Sequence, residues 1–289
     1  MKRILISGAN GQLGKSLQRQ AKNFPDFNFH FLTSQDWDIA DGEQTQKVFD
    51  EFQPDILINA AAYTNVDGAE EEREKAFAVN ADALLNISYQ CNQYETFLIH
   101  VSTDYVFDGT APSAYKETDT CQPINTYGQS KRQGEQVIEQ SATHAAIIRT
   151  SWLYSSFGKN FMTTMLQLGK QGVNLKIVNN QFGAPTNAND LAKFLLLLAK
   201  NPSAGKAYFH FCNSGKTNWY DFAKAIFEVT GLSDQVSLSS TDHYPTKAKR
   251  PENSLLDCSK IAHHLHTKIP YWRESLEYWY QKDKEDGLS

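Results

Sequence analysis

Short apolar runs alternate with amphipathic stretches through the first half of the chain. Residues 2–7 are one apolar burst that predicts a strand, and residues 12–23 set Leu13 and Leu17 on one face of a predicted helix. Residues 27–33 alternate as a half-buried strand does, and residues 43–52 read as a helix. Residues 55–60 predict a buried strand, 70–94 a long helical stretch, and 97–102 another strand. A helix over 126–141 and a strand over 145–149 follow. Strand interiors that are apolar without alternation fit a sheet covered by helices on both faces. The order therefore predicts an α/β fold, a doubly wound parallel sheet of βαβ units.

The second half is less regular. Helices are predicted near 158–171, 189–200, 218–230 and 272–282, and strands near 174–178, 206–212 and 235–239. No internal repeat or low-complexity linker appears. The expectation is a dinucleotide-binding domain over residues 1–153. Residues 154–289 are expected to form mainly a smaller substrate-binding lobe, with some segments returning to the main sheet.

Composition narrows the class. The 289 residues carry 28 Lys and Arg against 33 Asp and Glu, a net charge of −5, with 40% hydrophobic and 12% aromatic residues. Such a chain can bury a core and is not disordered. Its mild acidity supplies no basic face for nucleic acid. Leu195–Leu198, the greasiest run, is closed by Lys193 and Lys200, far short of the roughly 20 residues that cross a bilayer. The N-terminus lacks the long apolar region of a signal peptide. Cys91, Cys121, Cys212 and Cys258 form no CxxC pair and are expected to be reduced thiols. The expected location is cytoplasmic, without membrane or nucleic-acid partners.

Two motifs carry chemistry. Gly8-Ala9-Asn10-Gly11-Gln12-Leu13-Gly14 follows a predicted strand and opens a predicted helix. Gly11 lets the backbone approach a pyrophosphate, Gly14 lets helix pack on strand, and the helix N-terminus offers free N–H groups to phosphate. The spacing is GxxGxxG rather than GxGxxG, and a ligand-free Gly-rich turn is the plain alternative. After the second strand, Thr33, Ser34 and Gln35 provide neither an acid for a ribose diol nor an Arg for a 2′-phosphate, so NADH and NADPH both remain open. Asp38 suits the adenine amino group, with Ile39 against the ring; a turn or helix-capping acid is the alternative for Asp38.

The second motif is Tyr127-Gly128-Gln129-Ser130-Lys131, whose Tyr and Lys share a helix face at i and i+4. An ammonium beside a phenol lowers the phenol's pKa and prepares it for proton transfer. Thr103, after the fourth strand, is placed to complete a proton-transfer group round a carbonyl. An exposed helical pair is the alternative.

With these residues in view, the chain resembles the extended short-chain dehydrogenase/reductases, and most closely the dTDP-4-dehydrorhamnose reductase family. The matching segments, in family order, are Gly8–Gly14, Asn59–Asp67, Ser102–Gly109, Pro123–Gly128, Arg149–Tyr154, Gln181–Thr186 and Arg250–Ser254. The resemblance implies reduction of the 4-keto group of dTDP-4-dehydro-β-L-rhamnose by NADPH or NADH. It implies catalytic roles for Tyr127, Lys131 and Thr103. Gly8, Gly11, Gln12, Leu13 and Gly14 would hold the pyrophosphate end, Asp38 and Ile39 the adenine end. Ala62, Tyr63, Thr64 and Val101 would line the cofactor cleft. Thr103, Asp104, Trp152 and Arg250 would face the dTDP-sugar. Ser16 stands where some members carry a Glu associated with Mg²⁺, so no metal is assigned; a monomer and a homodimer are both compatible. Thr33 stands where many carry a ribose-binding acid.

Two other readings remain open. A dehydratase or epimerase would share the fold, but dehydratases typically show Thr-Asp-Glu where this chain has Thr103-Asp104-Tyr105. A regulatory subunit resembling that of methionine adenosyltransferase would be non-catalytic. His263, His264 and His266 are read as packing or solvated residues, since three His in four positions cannot face one ion from a helix. Glu70-Glu71-Glu72 is read as the acidic opening of a helix.

Overall fold

Leu5, Leu57 and Leu98 point to one side of a central sheet, and Ile4, Ile6, Ile56, Ile58 and Ile99 point to the other. The computed structural model describes residues 1–288. Its main strands are β1 (Lys2–Ser7), β2 (Phe27–Phe31), β3 (Ile56–Asn59), β4 (Phe97–Thr103), β5 (Ala145–Thr150) and a last strand, Lys206–Phe211. They lie in the order β2, β1, β3, β4, β5, Lys206–Phe211, all parallel. Successive side chains of one strand alternate between faces, and both faces are buried, which is why these strands read as unbroken apolar runs.

Helices α1 (Gln12–Ala21), α2 (Gly42–Phe52), α3 (Arg73–Phe77), α4 (Ala83–Gln93), α5 (Thr126–Ser141), α6 (Phe161–Lys170) and α7 (Ala188–Lys200) precede that last strand. After it come α8 (Trp219–Thr230), α9 (Ser259–His264) and α10 (Trp272–Glu285). Leu13 and Leu17 of α1 and the leucines of α7 cover one face; residues of α2, α4 and α5 cover the other. Each aliphatic side chain so buried contributes about 1.5–3 kcal/mol relative to exposure. A separate core joins Tyr154, Met162, Phe222, Ile226 and Trp272, beside a parallel pair of strands, Asn174–Val178 and Ser237–Thr241. From the second half, α7, Lys206–Phe211, Ile261 and Ile269 pack into the main sheet's core.

The helix expected over 70–94 is interrupted. A 3₁₀ turn at Gly68–Glu70 precedes α3, and a π turn at Ala78–Asp82 separates α3 from α4. The cause is tertiary. A Cβ on Gly134 of α5 would lie 2.0 Å from the Asn80 carbonyl oxygen, so α5 and the π turn meet backbone to backbone. The turn also aims the Asn80 amide. Its oxygen accepts the Tyr63 N–H at 2.9 Å, and its nitrogen donates to Tyr63 O and Ser130 Oγ, both at 3.0 Å. Folding also brings Cys212 and Cys258, distant in sequence, to a 3.5 Å Sγ–Sγ separation as free thiols.

The chain leaves β1 for β2 on one side and returns to β3 on the other. The crevice above this switch point, at the carboxyl ends of the strands, is where such sheets place ligands.

Candidate active site

A cleft of about 800 Å³ occupies that crevice. Its floor is the Gly-rich loop. Gly8 has φ +70°, and a Cβ on Gly14 would lie 2.3 Å from Gly8 O and 2.6 Å from the Ala9 Cα, so position 14 admits only glycine. Gly11 is the N-cap of α1 and brings no side-chain cap, which leaves the first N–H groups of the helix turned to the cleft. An uncapped helix start beneath a glycine cradle fits a dinucleotide pyrophosphate. Gly11, Gln12 and Leu13 line it, and Gln12 Oε1 accepts from Ser155 Oγ at 3.0 Å.

Tyr127 stands in the first turn of α5. Asn125 caps that helix, accepting the Gly128 N–H at 2.8 Å, and the Glu70 carboxylate takes the Thr126 N–H and hydroxyl at 2.9 and 2.8 Å. Glu70 therefore serves the start of α5 rather than a helix of its own. A Cβ on Gly128 would lie 2.1 Å from Tyr105 O, so α5 is pressed onto the turn after β4. That contact brings Tyr127 beside Thr103 and Tyr105, the two tyrosine rings meeting edge to face at 5.9 Å. Burial pushes the Tyr127 phenol up, and its Thr103 hydrogen bond opposes that shift. The expectation that Lys131 lowers it is not met in the protein alone. Lys131 Nζ instead donates to Val101 O at 2.7 Å and meets His100 Nε2 at 3.1 Å. Lys131 is buried, which pulls its ammonium down to about 8 against the opposing charge of Glu135.

Asp104 lines the same end of the cleft. One carboxyl oxygen accepts from Thr103 Oγ1 at 3.0 Å and the other is buried without a partner. Burial pushes this carboxyl up to about 7. The folded value exceeds the unfolded one, near 3.8, so the cost to stability is absent below that value, grows between about pH 3.8 and 7, and is constant above. Asp104→Asn should accordingly stabilise the fold more at about pH 8 than at about pH 4.5. Urea unfolding at both values checks this, and an equal change at the two would show that Asp104 does not titrate as its burial requires.

Ala62, Thr64, Val101 and Trp152 also line the cleft. Trp152 takes φ +46°, a left-handed conformation that an aromatic residue adopts only under constraint, and stacks on Trp219 at 3.8 Å. Four expected site residues stand outside the lining. The Tyr63 phenol turns away and donates to Glu72 at 2.6 Å, which pushes it up to about 12. The Ile39 side chain is buried with Trp37, Val48 and Phe49 in the core. Asp38 is exposed and accepts the Ala40 N–H at 3.0 Å. Arg250 pairs with Asp67 at 2.9 Å and lines an adjoining cavity of about 490 Å³ that shares Tyr105, Phe161 and Trp219 with the cleft. Ser16 is fully buried. No group of three potential metal ligands occurs among the described residues.

Several site residues carry no sequence motif. Gly158, Lys159, Asn160 and Phe161 also line the cleft, with Trp219 beside them. The one local signal is a capping box, in which Asn160 and Thr163 bond each other's backbone at the start of α6.

The chain matches the family described as RmlD substrate binding domain over residues 1–284. It is 37% identical to the dTDP-4-dehydrorhamnose reductase of Aggregatibacter actinomycetemcomitans, covering 96% of this chain and 98% of that protein. It is also 37% identical to the spore coat polysaccharide biosynthesis protein SpsK of Bacillus subtilis, covering 98% of each. The dTDP-4-dehydrorhamnose reductase of Bacillus anthracis, solved in complex with NADP, superposes with a TM-score of 0.92 at 36% identity, over 97% of this chain and 99% of that one.

Proposed function

The chain belongs to the RmlD substrate binding domain family, among the dTDP-4-dehydrorhamnose reductases, and from that premise we infer that it reduces the 4-keto group of dTDP-4-dehydro-β-L-rhamnose. The observation that carries the reading is the meeting of Tyr127, Thr103 and Lys131 in one cleft with a glycine-rich loop and an uncapped helix start. A bound NADPH or NADH supplies the hydride. Gly11, Gln12 and Leu13 would hold its pyrophosphate; Ile39 is taken up by the core, which leaves the exposed Asp38 as the candidate of that pair for the adenine amino group. Lys131 keeps one donor for the cleft once Val101 and His100 have taken two. Tyr127 donates its phenolic proton to the C4 oxygen as that oxygen becomes an alkoxide, and Thr103 orients the phenol. Asp104 and Trp152 position the sugar, and Arg250, in the adjoining cavity, meets the diphosphate. The dTDP-4-dehydrorhamnose reductase relatives support a reductase; the absence of a Glu after Thr103-Asp104 argues against a dehydratase, and the intact Tyr127 and Lys131 favour an enzyme over a non-catalytic subunit. Nucleotide-sugar and nicotinamide chemistry supports a cytoplasmic location, and no helix among the described residues is long and apolar enough to cross a membrane.

The test is an assay of the purified protein alone with dTDP-4-dehydrorhamnose and each reduced nicotinamide. Sugar-dependent oxidation is the expected result; its absence with both cofactors would overturn the reading. The kcat/KM values for NADH and NADPH should lie within about a hundredfold, ~2.7 kcal/mol. The reason lies at the end of β2, where the Asp36 carboxylate is folded back on the Thr33 N–H and hydroxyl at 2.9 and 2.7 Å, and no Arg stands among residues 33–36. A larger preference would mean that another charged residue reads the 2′-position.

A further inference from the structure

We propose that His100, backed by Asn59 and Ser7, is a positioning residue that accommodates Lys131 in both its charged and its neutral form by switching tautomer. Ser7, Asn59 and His100 are register partners on β1, β3 and β4, two residues beyond Leu5, Leu57 and Leu98 on the same face. The apolar row of the sheet thus gives way to a polar row under α5. Each member is 1% exposed. Ser7 Oγ and Asn59 Oδ1 are 2.6 Å apart, Asn59 Nδ2 and His100 Nδ1 3.1 Å, and His100 Nε2 and Lys131 Nζ 3.1 Å.

Proton counting makes the row a two-state device. Burial and the Lys131 charge keep the His100 ring neutral, so it holds one N–H. When Lys131 is an ammonium it donates to Nε2. Nδ1–H must then donate, so Asn59 presents its oxygen to His100 and its NH₂ to Ser7. When Lys131 is an amine, it accepts from Nε2–H. Nδ1 then accepts from the Asn59 NH₂, and Ser7 donates to the Asn59 oxygen. Asn59, His100 and Lys131 are matched donor to acceptor in both arrangements, and any mixture sets donor against donor or acceptor against acceptor; the Ala61 N–H, 3.3 Å from both Ser7 Oγ and Asn59 Oδ1, falls to Ser7 Oγ alone when the amide is flipped. Losing the Lys131 proton therefore flips the His100 tautomer and the Asn59 amide together, and no charge enters the core. Glu135, one turn along α5, is the charged group that acts on Lys131. β1 and β3 present only Ser7 and Asn59, β5 presents Ile147 in register with His100, and α4 presents Leu84 and Ile87 to this face.

The tautomer can be read without turnover. In ¹⁵N-histidine spectra of the wild-type protein, His100 is the resonance missing from His100→Gln. It should stay neutral from about pH 6 to about pH 10 and change from the Nδ1–H to the Nε2–H form near the Lys131 midpoint. A ring that keeps one tautomer through that range, or becomes a cation, overturns the proposal. In Asn59→Asp the carboxylate only accepts, which locks Nδ1–H and holds Lys131 charged. The alkaline limb of kcat/KM, where Lys131 loses its proton, should then move up by about one unit or more. This kinetic arm rests on the reductase reading and the spectra do not. An inactive wild type with a switching His100 would refute the reading alone, and an active enzyme with a fixed tautomer would refute the switch alone.

Discussion

Tyr127→Phe should lower kcat by about 10²–10⁴ and leave the NADPH Kd close to that of the wild type. The substitution keeps the ring and its edge-to-face contact with Tyr105. The deleted hydroxyl holds up no backbone group; Thr103 is its hydrogen-bonding side chain. Only proton delivery to the C4 oxygen is removed. Lys131→Met should behave differently. It strips a donor from Val101 O and a partner from His100 Nε2, both at a wall of the cofactor cleft, so Kd should rise as kcat falls. An exposed helical pair would predict little effect from either change, and the burial of Lys131 already contradicts that picture. Stopped-flow turnover together with fluorescence titration of NADPH separates the cases. Near-normal kcat in the Phe variant would remove Tyr127 as the proton donor. Loss of cofactor binding along with turnover would make it a residue that shapes the site.

The chain announced the main sheet because each strand is covered on both faces, and an apolar run needs no partner to be seen. It also announced α5 over Thr126–Ser141, which the structure caps with Asn125. The YxxxK spacing established that Tyr127 and Lys131 share a face, but not where the ammonium points. That depends on His100 and Val101, some 30 residues earlier along the chain. The polar row was illegible for the same reason. Ser7, Asn59 and His100 lie 52 and 41 residues apart and meet only through strand register. The π turn at Asn80 answers a glycine on another helix, and the left-handed Trp152 answers packing against Trp219. The ion pair of Arg250 was hidden in the same way, since its partner Asp67 stands 183 residues away.

Glu135→Leu should destabilise the fold by about 3–5 kcal/mol, because it abandons a buried cation. A second polar row explains this. Ser102 on β4, Arg149 on β5 and His210 on the last strand are register partners beneath α5. Arg149 is 2% exposed and lies between the Phe107 and Tyr208 rings, its guanidinium bonded to both Glu135 oxygens at 2.8 Å. Ser102 Oγ donates to the same carboxylate at 2.7 Å. Without Glu135, Arg149 keeps only the cation–π contacts, His210 Nε2 at 3.4 Å and Cys121 Sγ at 3.2 Å. Arg149 cannot shed its proton as Lys131 can, so the desolvation cost stays whole. Glu135→Leu combined with Arg149→Met removes both charges and should recover most of the loss. Urea unfolding of the two single variants and the double variant closes the cycle. A loss below about 1 kcal/mol in Glu135→Leu would mean that ring faces and His210 suffice to hold the guanidinium. The same variant bears on catalysis with a fixed sign. Glu135 holds the Lys131 ammonium up against burial, so its removal drops Lys131 further below about 8 and moves the alkaline limb of kcat/KM toward lower pH. Asn59→Asp is expected to move that limb the opposite way, so the two substitutions bracket Lys131 from the two polar rows that hold α5 to the sheet.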